Sequence, residues 1–208
     1  MQGQLDSRLT RLGRAHAYGT ARLLARLGVD VLFASPLGRV RETVAVIRTL
    51  VPLDVSYDDR LKEWSAGDWS GALHAEIPRR WPAEWAAWDA DRFTNRAPGG
   101  ESFGDLLTRA RSFLDDAVVA PDARVALVAH GFLNRALAGV LLSLPSAETL
   151  AIRQANDVVI RIVERPDGRV VDHFQDERGP FDGLPVETDH ASGARAAGSP
   201  RPGGEVSA

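Results

Sequence analysis

Three separate segments of the chain carry side chains that are suited to handling an anionic group. His130 follows the apolar run 125–129 and precedes a glycine, Arg39 follows shortly after a Ser-Pro dipeptide, and Glu63 precedes a tryptophan. An imidazole, a guanidinium and a carboxyl group together supply a base or phosphate ligand, a cationic clamp and an acid. Phosphoryl transfer through histidine would require one more residue, a nucleophilic imidazole.

The position of His130 favours a role in ligand binding. The run 125–129 is typical of a parallel strand covered on both faces, and ligands of open α/β sheets bind beyond the carboxyl ends of the strands. The helix predicted after this strand would offer unpaired N–H groups to an anion. The structural alternative is a histidine whose hydrogen bonds are satisfied at a strand end.

Arg39 and Glu63 also allow two interpretations each. Arg39 stands at the start of a predicted helix, where the helix dipole disfavours a cation and a bound anion would offset that effect. Alternatively it is a surface arginine, and Arg41 is close enough to be confused with it. Glu63 beside Trp64 would be partly desolvated, which would raise its pKa and suit it to donate a proton to a leaving oxygen. Its structural alternative is an exposed glutamate at a strand end.

The elements that would position these residues alternate between helix and strand. The patterns predict a helix between Thr10 and Gly28, a strand over 29–34, a helix over 38–50, a strand over 53–57, a helix from Ser102 to about 117, a strand over 125–129, a helix over 133–141 and a hairpin of 158–163 with 169–174. This order predicts the α/β class, with a mostly parallel sheet and an antiparallel component near its C-terminal end.

Two further segments bear on the site. The glycine-rich turn 98–102 predicts a helix cap, with Glu101 able to bond to neighbouring backbone or to orient an arginine. All five tryptophans lie within 64–88, and those at 81, 85 and 88 share one helix face. They would form either a lid over a pocket or, as we prefer, the packing of a small subdomain on the core.

Composition limits the class of protein. The 208 residues fit one domain, which we place at 1–175, followed by a tail at 176–208 that we expect to be disordered because it lacks apolar periodicity. A net charge of −3 gives no electrostatic case for nucleic acid or a membrane surface. There is no cysteine and no apolar run long enough to span a bilayer, and no metal motif occurs, so we expect a cytoplasmic protein without metal or cofactor.

Taken together, the segments resemble the histidine phosphatase superfamily, which includes cofactor-dependent phosphoglycerate mutases and many small phosphatases. The matching segments follow the family order and lie at 2–10, 34–40, 61–71, 98–102 and 129–131. The resemblance implies a three-layer α/β/α fold like that of phosphoglycerate mutase and a small phosphorylated substrate. It makes Arg39 a phosphate clamp, Glu63 the proton donor and His130 a ligand of the transferring phosphoryl group, with Gly3 nearby and no metal.

The chain departs from the family pattern at its beginning. Family members carry an Arg-His-Gly segment at the end of a first strand, shortly before the stretch that matches 2–7, and its histidine becomes the phosphohistidine. That segment and that strand, which lies next to the strand ending at the second histidine, are missing. Their loss would expose unpaired backbone groups. We therefore hypothesise a truncated start, for example a misplaced start codon at Met1, which mass spectrometry of the protein from its source would test.

Three functions remain open. We favour a phosphomonoester hydrolase that acts through a phosphohistidine and is impaired in this chain by the missing nucleophile. The alternatives are a phosphoglycerate mutase and a catalytically inactive protein that binds phosphate through Arg39, Glu63 and His130. The sequence identifies neither the substrate nor the oligomeric state.

Overall fold

The computed structural model describes residues 1–186, which form an α/β fold with two three-stranded sheets. The helices and strands are α1 (Arg11–Leu27), β1 (Val31–Ala34), α2 (Gly38–Ile47), β2 (Val55–Tyr57), α3 (Ile77–Arg80), α4 (Pro82–Ala90), α5 (Phe103–Asp116), β3 (Val125–Val128), α6 (Gly131–Leu142), α7 (Ser146–Ala151), β4 (Val158–Arg165), β5 (Gly168–Gln175) and β6 (Arg178–Asp182). Single turns of 3₁₀-helix occur at Asp59–Leu61 and Gly67–Trp69.

The first sheet is parallel, with the strand order β2-β1-β3. β1 is its central strand, and Leu32 pairs with Val55 on one side and with Ala126 on the other. Because all three strands run the same way, their carboxyl ends meet at one edge. Burial on both faces was expected for β3, but Val125 is 38% exposed, so the start of this strand is not covered.

The second sheet is antiparallel, with the order β4-β5-β6. The hairpin of β4 and β5 matches the predicted one, and its turn contains the expected Pro-Asp-Gly sequence. β6 differs from the expectation that regular structure ends near residue 176. All five of its residues are exposed, so no alternation of buried and exposed positions signals this strand in the sequence. The predicted tail beyond residue 186 lies outside the described residues.

The sequence predicted one mixed sheet, whereas the structure has two sheets. Among residues 1–186, β3 pairs only with β1, and β4 pairs only with β5. A ladder forms only where a neighbouring strand lies within hydrogen-bonding reach, and neither strand has such a neighbour on its second side. Within the described residues, one edge of β3 and one edge of β4 therefore have no strand partner.

Local capping signals fix the ends of α1 and the start of α5. Thr10 accepts a hydrogen bond from the N–H of Gly13, and Gly28 ends α1 in the left-handed conformation, as predicted. Ser102 and Asp105 form a complete capping box at the start of α5. These caps set where α1 and α5 begin.

The tryptophans pack in the main core. Trp69 is fully buried, Trp64 and Trp88 are nearly so, and their rings contact one another in a chain that continues to Trp85 and His74. The preferred interpretation of these residues as core packing therefore holds for the buried members. No helix within the described residues is long and apolar enough to cross a membrane.

Candidate active site

His130 lies where β3 gives way to α6 and is the N-cap residue of that helix. It is 6% exposed, and its Nε2 atom lies 2.7 Å from the Oγ atom of the fully buried Ser35, which follows the neighbouring strand β1. Burial, reinforced by the positive charges of Arg39 and Arg109, lowers the pKa of His130 to about 3, although Asp6 acts in the opposite direction. The imidazole is therefore neutral at physiological pH.

Glu63 follows the 3₁₀ turn after β2, and its side chain reaches the start of α6. Its carboxyl oxygens accept hydrogen bonds from the backbone N–H groups of Trp64, at 2.9 Å, Leu133, at 3.3 Å, and Phe132, at 3.4 Å. Burial raises the pKa of Glu63, against the effect of these N–H donors and of Arg39. A carboxyl group that is held protonated more readily than usual is suited to donate a proton.

This contact changes one expectation about the helix. The sequence predicted that the N–H groups at the start of α6 would be available to an external anion, but Phe132 and Leu133 donate to Glu63 instead. The Glu63 carboxyl group thus takes the position that favours negative charge at this helix N-terminus.

Arg39 lies in the first turn of α2 and points across the N-terminal segment. Its Nη1 donates to the carbonyl of Leu5 at 2.7 Å, and its Nη2 donates to the carbonyl of Gly3 at 2.9 Å. Asp6 accepts from the backbone N–H groups of Gly38, at 2.5 Å, and Arg39, at 3.0 Å. Partial burial acts to raise the pKa of Asp6, but these two hydrogen bonds keep it below its ordinary value. Asp6 thus supplies the anion that the start of α2 was expected to need.

The four residues predicted from the sequence are connected by hydrogen bonds, in part through neighbouring residues, and by the charge of Arg39. His130 begins the helix turn to which Glu63 is bonded, and the charge of Arg39 acts on both groups. Gly3 binds Arg39 through its carbonyl, and the next residue, Gln4, donates to the Glu63 carbonyl at 2.9 Å. The structure therefore brings Arg39, Glu63, His130 and Gly3 into one region at the carboxyl edge of the parallel sheet.

Arg41 is separated from this group. Its Nε donates to the carbonyl of Pro36, and its guanidinium stacks on the ring of Tyr57 at 4.1 Å from the centroid. Tyr57 ends β2, on the side of β1 away from β3. The choice of Arg39 over Arg41 as the site arginine is consistent with this placement.

Three residues near the site were not assigned a role from the sequence. Ser35 and Asp6 stood inside recognisable segments, but nothing in their spacing indicated a hydrogen bond to His130 or to α2. Arg109 had no signal at all, because an arginine in an amphipathic helix is typical of a solvated face. Glu101 was given two uses, and the structure shows both, since it binds Arg109 and the backbone N–H of Ser65.

Close backbone contact holds the loop of Glu63 against the turn before α5. Gly67 has a φ of +49°, and a Cβ atom there would overlap the carbonyl oxygen of Pro98. A Cβ atom on Gly100 would overlap the carbonyl oxygen of Ser65. Glycine is therefore required at both positions, and the fit places Glu101 next to the Glu63 loop. Within residues 1–186, no cluster of three or more His, Asp or Glu side chains is arranged to hold a metal ion.

The family model of the histidine phosphatase superfamily (branch 1) matches residues 1–177. The chain belongs to this superfamily. A glucosyl-3-phosphoglycerate phosphatase from Mycobacterium tuberculosis is 37% identical over 161 residues, which cover 73% of this chain and 72% of that protein.

A second related protein and a solved structure show how far the similarity extends. A probable phosphoglycerate mutase from Erwinia tasmaniensis is 32% identical over 167 residues, covering 78% of this chain and 76% of the relative. The solved structure of a mycobacterial glucosyl-3-phosphoglycerate phosphatase with VO3 aligns with a TM-score of 0.70 at 36% identity, covering 78% and 84% of the two chains. The phosphoglycerate mutase-like fold expected from the sequence is thus confirmed.

Proposed function

We propose that this protein is a phosphomonoester hydrolase whose site holds the transferring phosphoryl group between Arg39, His130 and Glu63. The observation that carries the proposal is that a buried imidazole begins α6 while a partly buried carboxyl group accepts hydrogen bonds from N–H groups of the same turn. Burial lowers the pKa of this imidazole and raises the pKa of this carboxyl group. Groups whose environments displace their pKa values in this way are typical of sites for acid and base chemistry.

The proposed roles follow from the chemistry of each side chain. Arg39 neutralises charge on the phosphoryl oxygens, and His130 donates a hydrogen bond to them, because positioning and charge stabilisation supply most of the catalysis in phosphoryl transfer. Glu63 gives its proton to the ester oxygen as the bond from phosphorus to that oxygen breaks. In a polypeptide that carries the family's Arg-His-Gly segment, the histidine of that segment would accept the phosphoryl group and would be regenerated when water attacks the phosphohistidine.

Arg39 would have to give up part of its present bonding to act as the clamp. Its two carbonyl contacts, to Gly3 and Leu5, are neutral acceptors, which bind a guanidinium more weakly than a phosphate dianion does. Gly3 and its neighbours would therefore line the site on the side where the Arg39 guanidinium lies. This role for Gly3 is part of the proposal.

For the substrate, we propose a phosphorylated organic acid of the glucosyl-3-phosphoglycerate type. The support is the 37% identity to a phosphatase of that name over most of both chains. The mutase alternative rests on the 32% identity to the Erwinia protein, and comparing isomerase with phosphatase turnover would separate the two. The third function is phosphate binding without turnover, and inorganic phosphate bound by the 208-residue polypeptide together with no release of phosphate from esters would favour it.

The proposed acid is tested by its dependence on the leaving group. For this test we define the extended polypeptide as residues 2–208 preceded by a strand that ends in Arg-His-Gly. We expect Glu63→Gln in the extended polypeptide to slow phosphate release from an alkyl phosphate by about 10²–10⁴-fold, the usual contribution of a general acid. Release from p-nitrophenyl phosphate should fall much less, because nitrophenolate leaves without protonation.

The control is Asp68→Asn, which removes an exposed carboxylate a few residues from Glu63. It should leave both rates unchanged. Equal losses for both esters in Glu63→Gln would show that Glu63 does not protonate the leaving oxygen.

A further inference from the structure

Arg109 lies on α5 with its guanidinium largely buried against the loop that carries Glu63. Its side chain is 17% exposed. The Nη1 atom donates to the carbonyls of Arg60 and Lys62, both at 2.7 Å, and Nη2 donates to the carbonyl of Glu63 at 3.2 Å. Arg109 thus contacts three of the four residues that lead from the 3₁₀ turn to the proposed acid.

The remaining two donors of Arg109 bind Glu101. Nε and Nη2 each lie 2.9 Å from a different oxygen of its carboxylate, a two-point ion pair. A guanidinium has five N–H donors, and these contacts use all five. Arg109 therefore has no donor left for a ligand, which distinguishes it from an arginine that binds substrate.

Glu101 completes the attachment on the other side of Glu63. Its carboxylate also accepts from the backbone N–H of Ser65 at 2.8 Å, and its backbone carbonyl accepts from Nε1 of Trp64 at 2.6 Å. The residues before Glu63 are thus bound to Arg109, and the residues after it are bound to Glu101. A partly buried ion pair adds stability only when such further hydrogen bonds satisfy it, and here they do.

We propose that Arg109 and Glu101 are positioning residues, which hold the loop 60–65 so that the Glu63 carboxyl group stays hydrogen-bonded to the first turn of α6. This inference rests on the proposed function of Glu63 as the acid. It adds that the acid is held in position by two side chains that do not touch the substrate.

The direction in which the Glu63 pKa changes when Arg109 is replaced separates positioning from a direct effect of charge. Arg39 from α2 acts on the Glu63 carboxyl group through its charge, and Arg109 from α5 donates to the Glu63 backbone carbonyl, with Glu101 behind it. His130 is the residue at which α6 begins, two residues before the first N–H group of α6 that Glu63 binds. Removing a nearby positive charge would raise the pKa of the Glu63 carboxyl group further. Releasing its loop into water would instead lower that pKa toward the ordinary value, because burial is what raises it.

The experiment is a carbon NMR titration of the 208-residue protein labelled at glutamate side chains, with the Glu63 signal assigned by Glu63→Gln. We expect Arg109→Gln and Arg109→Lys both to lower the Glu63 pKa. Arg109→Lys keeps the charge but cannot form all five bonds, and it is the milder variant if Arg109→Gln does not fold. Arg96→Gln, which breaks an exposed ion pair with Asp105 on the same helix, is the matched control and should have no effect.

A Glu63 pKa that rises in Arg109→Gln and is unchanged in Arg109→Lys would overturn the inference. The readout needs no turnover, so it is independent of the proposed function. If Arg109→Lys lowers the pKa but Glu63→Gln leaves alkyl phosphate hydrolysis intact, positioning stands and the role of Glu63 as acid fails. If the pKa does not fall but Glu63→Gln has its expected effect, the acid stands and positioning fails.

Discussion

We expect the 208-residue polypeptide to release phosphate from p-nitrophenyl phosphate at no more than about a thousandth of the rate of the extended polypeptide, because removing a nucleophile costs at least this much. The chain has five histidines, and among the four that the structure describes only His130 lies at the site. His130 has a pKa of about 3, its Nε2 atom lies 2.7 Å from Oγ of buried Ser35, and its proposed role is that of a ligand of the phosphoryl group. A clamp and an acid do not replace an attacking group.

The control for this prediction is His130→Ala in both polypeptides. In the extended polypeptide it should reduce turnover strongly, because the proposed role of His130 is to stabilise the transferred group. In the 208-residue polypeptide it should change the residual rate little. Fast turnover by the 208 residues alone that His130→Ala abolishes would show that His130 itself carries the chemistry, and the division of roles proposed above would be wrong.

The second large effect concerns stability in acid. His130 titrates at about 3 in the folded protein and near 6.5 when unfolded, so between these values the unfolded chain binds a proton that the folded protein does not. Above about pH 6.5 the titration of His130 therefore does not change the free energy of unfolding. As the pH falls from 6.5 toward 3, this free energy decreases. We expect the free energy of unfolding of the wild type, relative to His130→Gln, to fall by roughly 2–4 kcal/mol between pH 7.5 and pH 4.

Chemical denaturation of both proteins at the two pH values measures this difference, and carboxyl groups common to both cancel. Ser35→Ala is the matched variant, because it removes the hydrogen-bond partner of His130 without removing the titrating group. It should be less stable than the wild type at both pH values and should keep the acid sensitivity. A pH dependence that is the same in the wild type and in His130→Gln would contradict a buried neutral imidazole.

Much of the fold follows from local signals in the sequence. Thr10 and Gly28 mark the ends of α1, and the Ser102 cap and the turn before Gly168 mark α5 and the hairpin. Each of these signals depends only on a few neighbouring residues, so it can be recognised without knowing the tertiary structure. The division into two sheets could not be predicted in this way, because it depends on which strands lie side by side.

The site shows the same distinction. His130 and Arg39 follow strands whose carboxyl ends must meet in a parallel sheet, and the prediction of their proximity therefore needed only the class of fold. The use of the α6 N–H groups by Glu63, and the cap that Asp6 provides to α2, join residues far apart in the chain. Arg109 is the extreme case, since all five of its bonds are to residues outside its own helix.

The central claim is that Arg39, Glu63 and His130 share one phosphoryl group, and a crystal structure of the 208-residue protein with orthovanadate tests it most directly. We predict vanadate bound at the carboxyl edge of the parallel sheet, with its oxygens within hydrogen-bonding distance of the Arg39 guanidinium and the His130 imidazole and with the Glu63 carboxyl group facing it. A site that stays empty at saturating vanadate, or vanadate bound only to surface arginines such as Arg41, would contradict the account.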